Sequence, residues 1–199
     1  MSLSSSNNPA AALDSSLARL FQAEKVALDS VPADRLVSLV TLPAGVPELR
    51  YDAKWLAEQP EASGGAEWEC LAQALYFEAR GETVKGQFAV AEVILNRAAS
   101  PRFPGSVCEV ISQGTGQRYQ CQFTYNCDGR AETIAEPRAY ERVGKVAKIM
   151  LDGAPRNLTG GATFYHSRTV SPRWARAFMR TASIGEHLFY RRPIRVSSN

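Results

Sequence analysis

The sequence predicts an α+β domain in which helices pack beside a small antiparallel sheet. Two adjoining stretches within 67–98 repeat apolar residues at helical spacing on either side of a short turn. A third stretch, ending near Gly153, does the same. Two short segments, 160–167 and 184–191, alternate in the manner of strands.

The 199-residue chain has room for one domain of about 130 residues plus additional sequence. Its hydrophobic content, 45%, is that of an ordinary globular chain. A formal net charge of +3 is too small to argue for nucleic acid as a partner. The last third is nevertheless locally basic, with Arg168, Arg173, Arg176, Arg180, Arg191, Arg192 and Arg195, a composition suited to an anionic polymer. No apolar run approaches the roughly 20 residues of a membrane-spanning helix, so no transmembrane segment is expected.

In chain order, residues 1–12 read as disordered. Leu13, Leu17, Leu20 and Phe21 place a short amphipathic helix over 14–28. The segment 35–42 fits a strand or a helical turn equally. The Pro, Gly and acidic residues of 57–66 have the composition of a linker, so the chain divides into an extension, 1–66, a domain, 67–192, and a tail, 193–199.

Within the domain, a helix is expected over 67–80, ended by Gly81 in a left-handed conformation, and a second over 84–98. Ser106 and Glu109 have capping-box spacing ahead of Val110 and Ile111, which starts a short helix. Residues 112–135 form a long irregular loop in which amides alternate with Tyr119, Phe123 and Tyr125. Pro137 opens the third long helix, whose stripe is Ala139, Tyr140, Val143, Val146, Ala147 and Met150. Strands at 160–167 and 184–191 follow, separated by a connection, 172–182, that carries Trp174.

The chemistry centres on carboxylates. Leu71, Leu75 and Glu78 share one helical face, so Glu78 rides on an apolar stripe. A carboxyl withdrawn from water resists ionising and becomes able to donate a proton near neutral pH. The competing reading pairs Glu78 with Arg80 or Arg97 at the edge of that stripe. Glu82 lies one turn on, and Glu92 on the next helix. His166 or His187 beside a cysteine would make a nucleophilic pair, and the two histidines with an acid a metal site; neither has a persuasive spacing. Cys70, Cys108, Cys121 and Cys127 form no paired CxxC set. Their even number is compatible with two disulfides in an oxidising compartment, in any of three connectivities, or with four reduced thiols. The close spacing of Cys121 and Cys127 makes them the easiest pair and leaves Cys70 with Cys108.

Six ordered segments carry a resemblance: AxALYFEARGE (72–82), GQFAVAEVILNR (86–97), FPGSVCEVI (103–111), CQFTYNCDG (121–129), GGATFYH (160–166) and IGEHLFYR (184–191). Together they closely resemble the SleB-type cell-wall hydrolases, the spore cortex-lytic enzyme family, in its cysteine-containing branch. The resemblance covers about 67–191. It implies a lysozyme-like fold with a cleft between helices and sheet. The implied partner is the peptidoglycan glycan strand, cut between N-acetylmuramic acid and N-acetylglucosamine by a lytic transglycosylase. The alternatives are a hydrolytic muramidase, an amidase that removes the stem peptide, and a wall-binding module without activity.

The first glutamate of the EARGE motif, Glu78, is the implied catalytic acid, with Glu82 and Tyr165 as assisting candidates. No metal or organic cofactor is required. Gln122, Phe123, Thr163 and Trp174 are candidate sugar contacts; of Thr163 and Tyr165, only one is expected to face the cleft. Gly160, Gly161 and Gly185 are assigned to backbone geometry. The expected location is periplasmic or extracellular, with the polar start read as the stretch following an export signal. No peptidoglycan-binding repeat is visible in the first 60 residues, so the targeting implied by the resemblance does not carry over, and a germination role does not follow either.

Overall fold

The computed structural model describes residues 9–29, 49–115 and 121–193. The expectations for 35–42, Tyr119, Arg195 and most of the tail lie outside these residues. The chain separates into two compact units, Met1–Glu48 and Leu49–Asn199.

In the first unit, helix α1 runs Pro9–Asp29, so helical structure begins inside the stretch read as disordered. Proline suits a first helical turn, where its missing N–H has no partner to lose. Leu13, Leu17, Leu20 and Phe21 are exposed on this helix.

The second unit begins at Leu49, ahead of the boundary read from the sequence within 57–66. A one-and-a-half-turn helix, α2 (Ala53–Glu58), accounts for the difference. Asp52 caps it by accepting from Trp55 N, and Leu56 is buried in the core. Six residues are too few to display a helical period.

Helices α3 (Ala66–Ala79) and α4 (Val84–Ala98) form the centre of the unit. Both are buried nearly all round, which is why their apolar residues extend beyond one stripe. Gly81 does not close α3 in a left-handed conformation; it is absent from the positive-φ glycines. Side chains satisfy the end of the helix instead. Gln87 Nε2 and Arg142 Nη2 donate to the Arg80 carbonyl, and the Glu82 N–H to that of Ala79. Thr83 then caps α4 by accepting from Gly86 N.

Helix α5 (Val107–Ile111) carries the expected capping box between Ser106 and Glu109. The Cys70–Cys108 disulfide ties it to α3. Helix α6 (Pro137–Leu151) opens on the expected proline and lies against α3. Gly144 admits the Trp68 ring, whose Nε1–H donates to the Gly144 carbonyl at 2.9 Å.

The sheet has three antiparallel strands, one more than expected: β1 (Phe164–Ser167), β2 (Met179–Ile184) and β3 (His187–Arg191), in the order β1-β3-β2. β2 occupies the end of the presumed connection. Gly185 at φ +57° makes the two-residue turn from β2 to β3. Alternation along the strands gives the sheet two distinct faces. Tyr165, His187 and Phe189 lie on the face toward the helices. Phe164, His166 and Tyr190 lie on the other, covered by Trp174 and Phe178.

Candidate active site

Glu78 sits in the last turn of α3, where the helix meets the inner face of the sheet. Leu71 and Leu75, earlier on the same stripe, are fully buried, so the stripe delivers the carboxyl to the edge of the core. The Tyr165 hydroxyl donates to Glu78 Oε2 at 3.0 Å from β1. Loss of water raises the Glu78 pKa above the ordinary carboxyl range; the Tyr165 hydrogen bond and the charge of Arg97 pull the other way. Burial and the neighbouring Glu78 charge push the Tyr165 phenol well up, so it remains a neutral donor.

Arg97 lies on α4, almost wholly buried. Its Nε–H donates to the Thr163 carbonyl at 2.7 Å, and its guanidinium lies over Phe103, Phe123 and Phe164. Burial lowers its pKa, while Tyr165 and Glu78 oppose that shift. Arg80 does not pair with Glu78; it meets Glu136 at 2.8 Å.

Tyr125 is a residue the sequence placed only among the loop aromatics. Its ring stacks on Phe77 at 4.5 Å, and its buried hydroxyl has no hydrogen-bond partner. Burial, and after it the charge of Glu78, push its pKa up. A Cys-bounded loop rich in aromatics is the signal that singles it out.

The other two glutamates are occupied elsewhere. Glu82 Oε1 accepts from Glu186 N at 2.9 Å and lies 2.8 Å from His187 Nδ1. Its side chain is only 6% exposed. It therefore fastens the α3–α4 turn to the β2–β3 hairpin. Glu92 accepts from the backbone N–H groups of Leu158 and Thr159 at 2.9 Å. It braces the loop ahead of β1.

The proposed sugar contacts divide. Gln122 and Thr163 line an open cavity of about 610 Å³ at the end of the sheet. Phe123 is 1% exposed beneath Arg97 and belongs to the core. Trp174 packs on the sheet face opposite Tyr165, so it does not reach Glu78. Neither aromatic is available as a platform for a sugar at this carboxyl. Tyr165 and Thr163 are both engaged, the first with Glu78 and the second at the cavity.

Both disulfides, Cys70–Cys108 and Cys121–Cys127, are formed and no cysteine is free, so no thiol stands beside either histidine. His166 contacts Tyr190 Oη and the Ser167 carbonyl, and His187 meets Glu82. Among the described residues, no group of three His, Cys, Asp or Glu side chains is placed to hold a metal ion. No helix among them is long and apolar enough to cross a membrane.

Known proteins share this arrangement of sequence. The spore cortex-lytic enzyme of Bacillus subtilis is 53% identical over 133 residues, 67% of this chain and 40% of that protein. That of Halalkalibacterium halodurans is 37% identical over 122 residues, 61% of this chain and 33% of that protein. The chain thus spans less than half the length of these relatives. Among solved structures, the catalytic domain of the germination-specific lytic transglycosylase SleB from Bacillus anthracis is 30% identical; the match covers 67% of this chain and 100% of that domain, with a TM-score of 0.49. A family model described as Cell Wall Hydrolase matches residues 81–190. By that match the chain belongs to the Cell Wall Hydrolase family.

Proposed function

We propose that this protein is a peptidoglycan glycosidase that acts outside the cytoplasm as a lytic transglycosylase. It cuts glycan strands between N-acetylmuramic acid and N-acetylglucosamine. The observation that carries this reading is the sheltered Glu78 carboxyl, held by the Tyr165 hydroxyl while Glu82 and Glu92 are committed to backbone groups. Of these three glutamates, Glu78 is left to serve as both proton donor and proton acceptor. Membership of a cell-wall family and similarity to spore cortex-lytic enzymes support the choice of substrate. The two disulfides support an oxidising location.

In the first step, protonated Glu78 donates to the bridging glycosidic oxygen as its bond to the anomeric carbon breaks. N-acetylglucosamine leaves with a free hydroxyl, and positive charge develops on the muramic ring. Tyr165 holds Oε2, so Oε1 is the donating oxygen. Desolvation favours the protonated acid beforehand; Tyr165 and Arg97 stabilise the carboxylate afterwards. In the second step the 6-hydroxyl of the same muramic residue attacks the anomeric carbon, and the Glu78 carboxylate takes its proton. A 1,6-anhydro ring closes, no water is consumed, and Glu78 is protonated again.

Mass spectrometry of digested peptidoglycan tests the proposal. Wild-type protein should release muropeptides with anhydro ends, and Glu78→Gln should cut the yield by about 10²–10⁴-fold. Products heavier by one water would establish hydrolysis instead. Free stem peptides would establish an amidase, and binding without soluble products a wall-binding module.

A further inference from the structure

The cavity of about 610 Å³ belongs to no step above. Its volume falls in the range of ligand sites, about 300–1,000 Å³. Phe103 and Phe164 form an apolar wall, their rings 6.0 Å apart. Arg102, Arg191 and Arg192 also line it, and the described lining contains no Asp or Glu. These cations come from two separate parts of the chain, the turn after α4 and the end of β3. The fold has gathered them around one opening, with Gln122 among the polar lining groups.

A concave site with like charges, an apolar wall and amides matches an anionic, partly apolar ligand carrying amide groups. Guanidinium groups pair with carboxylates through parallel N–H···O bonds that an ammonium does not reproduce. The cavity is also a neighbour of Glu78. Arg97 lies over Phe103 and Phe164, which line the cavity, and its charge acts on Glu78. Thr163, at the cavity, stands two residues from Tyr165, about 7 Å along an extended chain. A substituent of the sugar held at Glu78 spans that distance.

We infer that the cavity lined by Arg102, Arg191 and Arg192 binds a free carboxylate of the peptide stem attached to muramic acid, so that the protein selects glycan strands bearing stems. This inference deepens the glycosidase reading and rests on it. The stem has the required chemistry: amide groups along its length, small apolar side chains and free carboxylates. A strand stripped of its stems keeps only the lactyl carboxylate on each muramic ring, with no amide chain beyond it.

Calorimetric binding tests the site without reference to turnover, using a soluble muramyl tetrapeptide, the same compound with its carboxylates amidated, and the muramyl sugar alone. Wild type should bind the acidic tetrapeptide at least tenfold more tightly than either other probe. Arg102→Gln/Arg191→Gln should remove that preference while leaving the melting temperature and binding of the sugar alone unchanged. Equal binding of the three probes by wild type, or an undiminished preference in the double variant, overturns the inference. Turnover separates this inference from its parent. Wild type should cleave intact strands with a KM at least tenfold below that for strands stripped of stems, with the double variant showing equal KM values. Cleavage of both strands with equal KM overturns the cavity assignment and leaves the glycosidase reading standing. Tight, variant-sensitive tetrapeptide binding without cleavage of either strand overturns the glycosidase reading and supports the stem site.

Discussion

Glu78 illustrates how a single residue acquires its chemistry from opposing influences. Desolvation raises its pKa, while Tyr165 and Arg97 lower it. The sign of a pH effect follows. The first step needs the protonated acid, so turnover should fall as pH rises through the elevated folded pKa. Replacing Tyr165 with Phe removes a contribution that favours the carboxylate, so the Glu78 pKa should rise further. The alkaline limb of the pH–rate profile should therefore move to higher pH in Tyr165→Phe, alongside a lower maximal rate. A limb that stays in place or moves to lower pH would contradict the assignment of this hydrogen bond. The apolar stripe made the burial of Glu78 legible in the sequence, because Leu71 and Leu75 dictate which face is buried; its part as the acid came only from the resemblance of the EARGE motif. Among the candidate sugar contacts, two aromatic residues could not be placed from the sequence. Phe123 and Trp174 have surfaces suited equally to a sugar or a core, and only tertiary packing decides between them.

At the scale of elements, the α3–α4 turn and the β2–β3 hairpin depend on one another through Glu82. An added Cβ at Gly185 would collide with Glu82 Oε2, and the φ of +57° at that position already disfavours any other L-residue. Glu82→Ala and Gly185→Ala should each lower stability by about 1–3 kcal/mol in chemical denaturation. The double substitution should cost less than the sum of the two, since both disturb one contact. Strict additivity would argue against the coupling. The sequence spacing of Glu82, one turn beyond Glu78, favoured an active-site role because its real partners, His187 and Glu186, lie over a hundred residues away. β2 escaped notice for a related reason. Its sequence, MRTASI, has little contrast between its faces, and the strand exists through its pairing with β3.

Across the whole molecule, long periodic helices and reciprocal caps were readable because their causes are local: α3, α4 and α6, and the Ser106–Glu109 box. The short α2 was not, because six residues hold too little pattern and Leu56 is buried only through its contact with the rest of the unit. The disulfides act at this scale also. Cys70–Cys108 closes a separation of 38 residues, worth about 4 kcal/mol on the chain-entropy view, and Cys121–Cys127 closes 6, worth about 2. Unfolding followed with and without reductant should show a loss of a few kcal/mol, and thiol titration of the denatured, unreduced protein should find no free sulfhydryl.

The central claim is that one sheltered carboxyl supplies and recovers the proton. Its most direct test is a titration of the Glu78 side-chain carbon by NMR, set beside the pH–rate profile of the same sample. The account predicts a Glu78 midpoint above that of ordinary glutamates, coinciding with the alkaline fall in rate. A midpoint in the ordinary range, or a rate that ignores the titration, would contradict it.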